Sequence, residues 1–337
     1  MKCYCLKFKS PFHVDTRGTG FYEQSDHYIQ SSTLSAAIVS TWAMLEPDDA
    51  KSWATRPDFR LSSAFPYYQK KNEDTCFFLP RPVNSMANVL EEEDIKENFK
   101  HIKAINKIKW LESSLWTEVV ENSKIEYENI HIISHIFACH KSKSNQMPLR
   151  FWAEEEKPRL YTDRFTNQAI EGKIFRFGRI YFENNCGLYF LARFDNNDAQ
   201  LKFESALTLL GDSGIGSDRS TGNGLFTWEK NNQFDPALIA PKQDSSHICL
   251  SLLNPCIKEN CEKNCDVKDC KMDWIKQSNY QFLTNAGWIG TSGKQRKSVR
   301  MFVEGSSFPV KLNGNIVEVG KSHQGYKVYR DGRGFFL

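Results

Sequence analysis

Residues 209–228 read Leu-Leu-Gly-Asp-Ser-Gly-Ile-Gly-Ser-Asp-Arg-Ser-Thr-Gly-Asn-Gly-Leu-Phe-Thr-Trp, with glycines at 211, 214, 216, 222 and 224. So many residues free to take positive φ cannot all continue a helix or a strand. Upstream, Phe203, Ala206, Leu207 and Leu210 recur at i, i+3, i+4 and i+7, one face of an amphipathic helix that Gly211 is placed to close. Downstream, Gly224-Leu-Phe-Thr-Trp reads as a strand. A helix, a glycine-rich arc and a strand expose backbone N–H groups, and Ser213, Ser217, Arg219, Ser220 and Thr221 stand among them. That set suits an anionic backbone lying on a loop. No Gly-Lys-Ser/Thr follows, so it is not a nucleotide P-loop. Arg219 occupies the third glycine position of a dinucleotide fingerprint, which excludes that reading too.

The rest of the chain sets this loop in a mixed α+β protein. At 337 residues, 40% hydrophobic and 25% charged, it has the size and composition of a soluble globular protein of two domains. The formal charge of +3 neither requires nor forbids nucleic acid, since a basic groove can be local. Residues 2–9 alternate as an opening strand, and a loop with His13, Arg17 and His27 follows. Ser31 or Ser32 is placed to cap a helix whose Leu34, Ile38, Trp42 and Leu45 share a face. Residues 61–68 and 75–80 read as extended, and 91–120 as helical with Ile95, Phe99, Ile102, Leu111, Leu115 and Val119 inward.

Residues 158–182 turn from polar to alternating basic and aromatic, pairing Arg176 with Phe177 and Arg179 with Tyr181. Two strands joined around Glu171-Gly172 make a hairpin with an arginine-bearing face. Residues 229–246 are polar and hold Pro236 and Pro241, the best linker, so the predicted domains are 1–240 and a smaller β-rich 245–337. Strand, helix, strand, hairpin, helix, loop and strand match an expanded ferredoxin-like plan, repeated in reduced form in the second part.

Ten cysteines without an export signal point to reduced thiols or a metal in a cytoplasmic protein. Within the insertion at 255–271, Cys256, Cys261, Cys265 and Cys270 are spaced x4, x3, x4 among polar residues. Four thiolates on a structural zinc would order a segment that has no core of its own. No organic cofactor is expected, and no apolar run is long enough to span a bilayer.

The loop at 209–224 resembles the glycine-rich loop of the RAMP superfamily of CRISPR proteins, and more narrowly the family of the fourth subunit of the type III-A Csm complex, in the Cas5 group. Ser31-Ser-Thr-Leu-Ser-Ala-Ala, Leu61-Ser-Ser-Ala-Phe-Pro-Tyr, Phe77-Phe-Leu-Pro-Arg-Pro, Asp163-Arg-Phe-Thr, Gly287-Trp-Ile, the run Arg296 to Ser306 and Val328-Tyr-Arg agree in the same order. Ser32 stands where that family tends to have Asp, and Ala286 replaces the first of a Gly-Gly pair.

The resemblance implies two ferredoxin-like (RRM-like) RAMP domains with a β-hairpin thumb. It implies a non-catalytic RNA-binding subunit that caps the guide RNA's 5′ repeat-derived tag. Its implied partners are the large polymerase-like subunit and a neighbouring RAMP backbone subunit, with no membrane. The implied RNA-binding residues are Gly211, Asp212, Ser213, Gly214, Ile215, Gly216, Ser217, Arg219, Ser220, Thr221, Gly222 and Gly224 of the loop. His13, Arg17, Ser31 and Ser32 join them from the first helix and the loop before it. Arg164 and Thr166 of the thumb and Arg296, Lys297 and Ser298 of the second domain complete the set. Two alternatives stand beside this one: a CRISPR RNA endoribonuclease using His13 or His27 as general acid or base, and a scaffold that touches only protein.

Overall fold

The computed structural model describes residues 1–15, 22–70, 73–83, 90, 99–121, 124–163, 165–236, 246–256, 272–290 and 294–337. The chain begins with β1 (Lys2–Phe8), α1 (Ser31–Leu45), α2 (Ala50–Thr55), β2 (Phe59–Leu61), β3 (Phe65–Tyr68) and β4 (Cys76–Pro80). Next come α3 (Phe99–Ile105), β5 (Trp110–Glu112), α4 (Ser113–Val120), β6 (Ile130–Ile133) and β7 (Phe137–His140). The hairpin strands β8 (Trp152–Thr162) and β9 (Ala169–Phe182) precede β10 (Cys186–Phe194), α5 (Asn197–Ser213) and β11 (Phe226–Asn231). The C-terminal part has β12 (His247–Ile248), β13 (Phe282–Asn285), β14 (Val299–Phe302), β15 (Ser307–Phe308), β16 (Gly314–Lys321) and β17 (Lys327–Arg333).

A nine-stranded sheet runs in the order β11-β1-β10-β3-β4-β5-β7-β6, with β2 also on β10. Because alternate side chains of a strand face opposite ways, β1 serves two cores. Tyr4 and Leu6 pack with Leu34 and Ile38 of α1 and Phe203 and Leu207 of α5. Cys3 and Cys5 face Tyr67, Tyr189, Leu250, Phe335 and Leu337 on the other side. The last three belong to the C-terminal part, so residues 246–337 share a core with the first half. Among the described residues there, the chain forms paired strands and one 3-10 turn (Met272–Gln277), with no α-helix.

Three local expectations are corrected. The helix predicted to run to Val120 is interrupted at β5, because Lys109 and Trp110 donate their N–H groups to Ile136 O (2.8 and 3.0 Å) and join the sheet. A new helix starts at Ser113, capped by the Glu112 carboxylate at Ser114 N (3.2 Å). Residues 91–98 lie outside the described set. The hairpin turns at residues 163–168 rather than at Glu171-Gly172, since Asp163 Oδ1 accepts from the N–H of Phe165 (2.7 Å) and Thr166 (3.1 Å), and Asn167 takes φ +54°.

The third correction is at the loop. α5 runs on to Ser213, and Gly214, at φ +81°, is its C-cap; its N–H donates to Leu210 O at 2.8 Å. Gly211 lies inside the helix, where α5 comes so close to β11 that a Cβ would stand 2.6 Å from Phe226 O. Cys3, Cys5, Cys76, Cys139, Cys186 and Cys249 are free thiols. No helix among the described residues is long and apolar enough to cross a membrane.

Candidate nucleic-acid interface

Most of the loop's N–H groups are spent inside the protein, which corrects the picture of an open amide cradle. Ile215 N donates to Gly224 O (3.0 Å), Ser217 N to His13 O (2.8 Å), Thr221 N to Asp218 O (3.1 Å), Gly222 N to Arg219 O (2.9 Å) and Gly224 N to Pro11 O (2.8 Å). Ile215 is 1% exposed and packs in the helix-side core, so it is no RNA contact. Gly211, Gly214 and Gly224 are buried and Gly216 and Gly222 half-buried. In α5's last turn Asp212 is exposed and Ser213 Oγ bonds Leu210 O (3.4 Å).

What this folding leaves outward is a single 3-10 turn, Arg219–Thr221, in which all three residues are exposed. Below it, Asp218 at φ +63° accepts from Thr221 Oγ1 and Asn223 Nδ2, each at 2.8 Å. The same carboxylate pairs with Arg159 of β8 and, at 3.7 Å, with Arg179 of β9. Burial works against its ionisation. The Arg159 and Thr221 hydrogen bonds and the two guanidinium charges outweigh this and hold Asp218 below the usual carboxylate range.

Both guanidiniums also reach the Phe177 ring, that of Arg159 at 4.8 Å and that of Arg179 at 6.0 Å from its centroid. The loop is therefore tied to both strands of the hairpin through the Asp218 carboxylate. Sequence reading noticed Arg179 and Phe177 as an arginine-bearing face. It missed Asp218 and Arg159, because the contact joins residues far apart in the chain, and only the acid set among glycines hinted at it.

Three other predicted contacts, His13, Ser31 and Ser32, are buried. His13 is 1% exposed, lies against Phe177 (4.5 Å) and bonds Gly178 O through Nδ1 (2.8 Å). Burial lowers its pKa and keeps it neutral. Ser31 and Ser32 are 5% and 0% exposed. Gln30, not a serine, is the N-cap of α1; Ser31 Oγ instead accepts from Leu252 N (2.9 Å) of the C-terminal part.

Arg296 donates through Nε to Ala286 O (3.0 Å), and burial lowers its pKa to about 10, so it braces the turn before Trp288. Lys297 and Ser298 are exposed, as is Thr166 at the hairpin tip. Arg17 and Arg164 lie outside the described residues. So do Cys261, Cys265 and Cys270 of the proposed zinc set, whose fourth member Cys256 is 2% exposed. His27, the other candidate acid–base group, stacks on Trp152 (4.4 Å) with Nε2 2.6 Å from Glu154.

Solved structures with this architecture define the class. The chain overlays on a protein in the crystal structure of the Csm3–Csm4 subcomplex of the type III-A CRISPR–Cas interference complex, with TM-score 0.65, 18% identity, and 100% of this chain and 99% of that one covered. A Csm1–Csm4 cassette in complex with pppApA gives TM-score 0.60 at 17% identity, covering 100% and 96%. At such identity the likeness is one of fold: that of subunits of type III-A CRISPR complexes.

The particular family that the chain resembles is Csm4. Residues 242–337 match the family model described as the CRISPR Csm4 C-terminal domain. "CRISPR system Cms protein Csm4" of Methanocaldococcus jannaschii is 27% identical over 254 residues, 67% of this chain and 65% of that protein. Its counterpart in Thermococcus onnurineus is 27% identical over 173 residues, 50% of each. The chain thus spans 65% of one curated relative's length and 50% of the other's.

Proposed function

We propose that this chain is a non-catalytic RNA-binding subunit of a cytoplasmic type III-A CRISPR effector complex, and that it anchors the repeat-derived 5′ tag of the guide RNA. In that role it joins a RAMP backbone subunit to the large polymerase-like subunit; the solved relatives, described as a Csm3–Csm4 subcomplex and a Csm1–Csm4 cassette, support both contacts. The order β1-α1-β3-β10-α5-β11, with β11, β1, β10 and β3 side by side, supports a ferredoxin-like RAMP domain in the first half. A second, reduced copy in the C-terminal half rests on the family resemblance.

The observation that carries the reading is the exposed Arg219–Thr221 turn, braced from beneath by Asp218. One guanidinium and two hydroxyls on a turn held from beneath by Asp218 suit a phosphate of a single strand. The burial of His13 favours binding over cleavage.

Binding of single-stranded tag RNA is expected to weaken with salt at a slope of about −0.7 per neutralised phosphate. Arg219→Ala is expected to flatten that slope by about one phosphate's worth. A slope near zero in the parent protein would instead mean a protein-only scaffold, and cleaved RNA an endoribonuclease.

Zinc on Cys256, Cys261, Cys265 and Cys270 belongs to the same proposal: Cys256 is already buried, and four thiolates complete a closed structural site. Metal removal is expected to free about four thiolates per zinc. Protein purified without chelators and found metal-free by elemental analysis rules the site out.

A further inference from the structure

At the end of the sheet where β1 meets the glycine loop, a cleft of about 240 Å³ opens between Phe8, Tyr67, Phe182 and the turn that joins β9 to β10. It is smaller than the roughly 300–1,000 Å³ pockets that take drug-sized ligands, and its size suits one planar ring system. Phe8 and Phe182 stack at 5.2 Å and 26°, and Phe182 continues onto Phe12 at 5.4 Å and 5°, so the aromatic wall is a fixed block.

The rim is made of amides. Cys186 N donates to Glu183 O (3.0 Å), Asn185 takes φ +66°, and this tight turn leaves Asn184 and Asn185 exposed side by side. Gln69, whose N–H donates to Asn185 O at 2.9 Å, supplies a third amide to the lining. Among the described residues, these three side-chain amides make no hydrogen bond. The nearby charges are already matched: Lys7 pairs with Glu229 at 2.9 Å and Glu183 with Arg150 at 2.5 Å. A neutral site with aromatic walls and free donors and acceptors fits neither a phosphate nor a cation. It fits a nucleobase, whose face stacks and whose edge needs donors and acceptors together.

Its position points the same way. Lys9 N donates to Leu225 O (2.8 Å), Leu225 N to Ser10 Oγ (2.9 Å), and the Phe8 and Phe226 rings lie 5.8 Å apart. The cleft therefore adjoins the point where the chain leaves the glycine loop. We propose that the cleft between Phe8, Phe182 and the Gln69, Asn184 and Asn185 amides is a nucleobase site. It takes one unstacked base of the single strand whose backbone follows the loop, and so rests on the RNA-binding reading above.

The test uses the full chain and two probes of equal length: single-stranded oligoadenylate RNA and the same ribose–phosphate chain without bases. The triple variant Gln69→Ala, Asn184→Ala, Asn185→Ala removes only half-buried or exposed amides, and its fold is checked by its thermal midpoint. It is expected to bind the oligoadenylate between about threefold and tenfold more weakly than the parent, as the loss of one or two hydrogen bonds implies. Its binding of the base-free chain is expected to be unchanged. An equal loss on both probes, or none on either, overturns the base site while leaving RNA binding intact. If the parent binds neither probe, the RNA-binding reading fails and the base site falls with it.

Discussion

Replacing Arg333 with alanine is expected to cost about 3–5 kcal/mol of stability, the range for breaking one partner out of a buried ion pair. Arg333 closes the joint between the two halves of the protein. It donates to Pro57 O (3.0 Å) and Phe59 O (2.6 Å) of the first half and to both oxygens of Asp331 (3.0 and 2.9 Å). Asp331 in turn accepts from Ser35 Oγ of α1 at 3.0 Å. Both charged side chains are only 14% exposed, so solvent screening softens the loss little.

Burial alone would raise the Asp331 carboxyl, but the Arg333 charge and hydrogen bonds hold it below its ordinary value. That contribution is present at neutral pH and is lost as acid titrates the carboxylate. The measurement is the urea midpoint at an unchanged m-value. Adding Asp331→Asn to the alanine variant is expected to restore part of the loss by removing the stranded charge. A change below about 1 kcal/mol, the level of an exposed pair, sinks this account of the joint.

Glu304→Gln is expected to act in the opposite direction, stabilising the protein above pH 7. Glu304 is buried, 8% exposed, where the Glu-Gly-Ser motif meets the first half, and accepts from Ser63 Oγ and from Tyr28 OH (3.4 Å). Burial, only partly offset by these bonds, lifts its pKa from 4.5 to about 6. A carboxyl raised by folding binds its proton more tightly in the native state. Its contribution is complete below the unfolded value and disappears as pH rises through about 6.

That difference corresponds to about 2 kcal/mol at neutral pH. Parent and glutamine variant should therefore match near pH 4 and diverge up to pH 7, with the variant the more stable. Unfolding free energies from pH 4 to 8 give the comparison; a variant that is weaker throughout that range would falsify the buried-charge reading.

Local patterns carried much of the fold. The 3.6-residue spacing of Phe203, Ala206, Leu207 and Leu210 identified α5, because it records which side of a single helix is apolar. The alternation of residues 2–9 identified β1 but set Tyr4 among the lysines on the wet side; Tyr4 is buried, because β1 is covered on both faces. The hairpin turn was misplaced because Gly172 is a strong turn signal. The Asp163 side chain, bonding two N–H groups at once, makes a better one. The site was legible in part. Arg219, Ser220 and Thr221 do face outward, whereas His13, Ser31, Ser32 and Arg296 read as binding residues and are structural.

Residues 209–228 can be read from the chain alone as a helix, a glycine-rich turn and a strand, and so can the loop's likeness to one family of CRISPR proteins. Glycine spacing and apolar periodicity are local properties, so one stretch of chain suffices to read them. What the loop presents to its surroundings depends on how the whole chain packs. Most of its amides are consumed by His13 O, Pro11 O and its own carbonyls, and its acid, Asp218, ties it to Arg159 and Arg179 of the hairpin. The reason is that a hydrogen bond or ion pair needs a partner within about 3–4 Å, and packing rather than sequence order brings Asp218 and Arg159 that close.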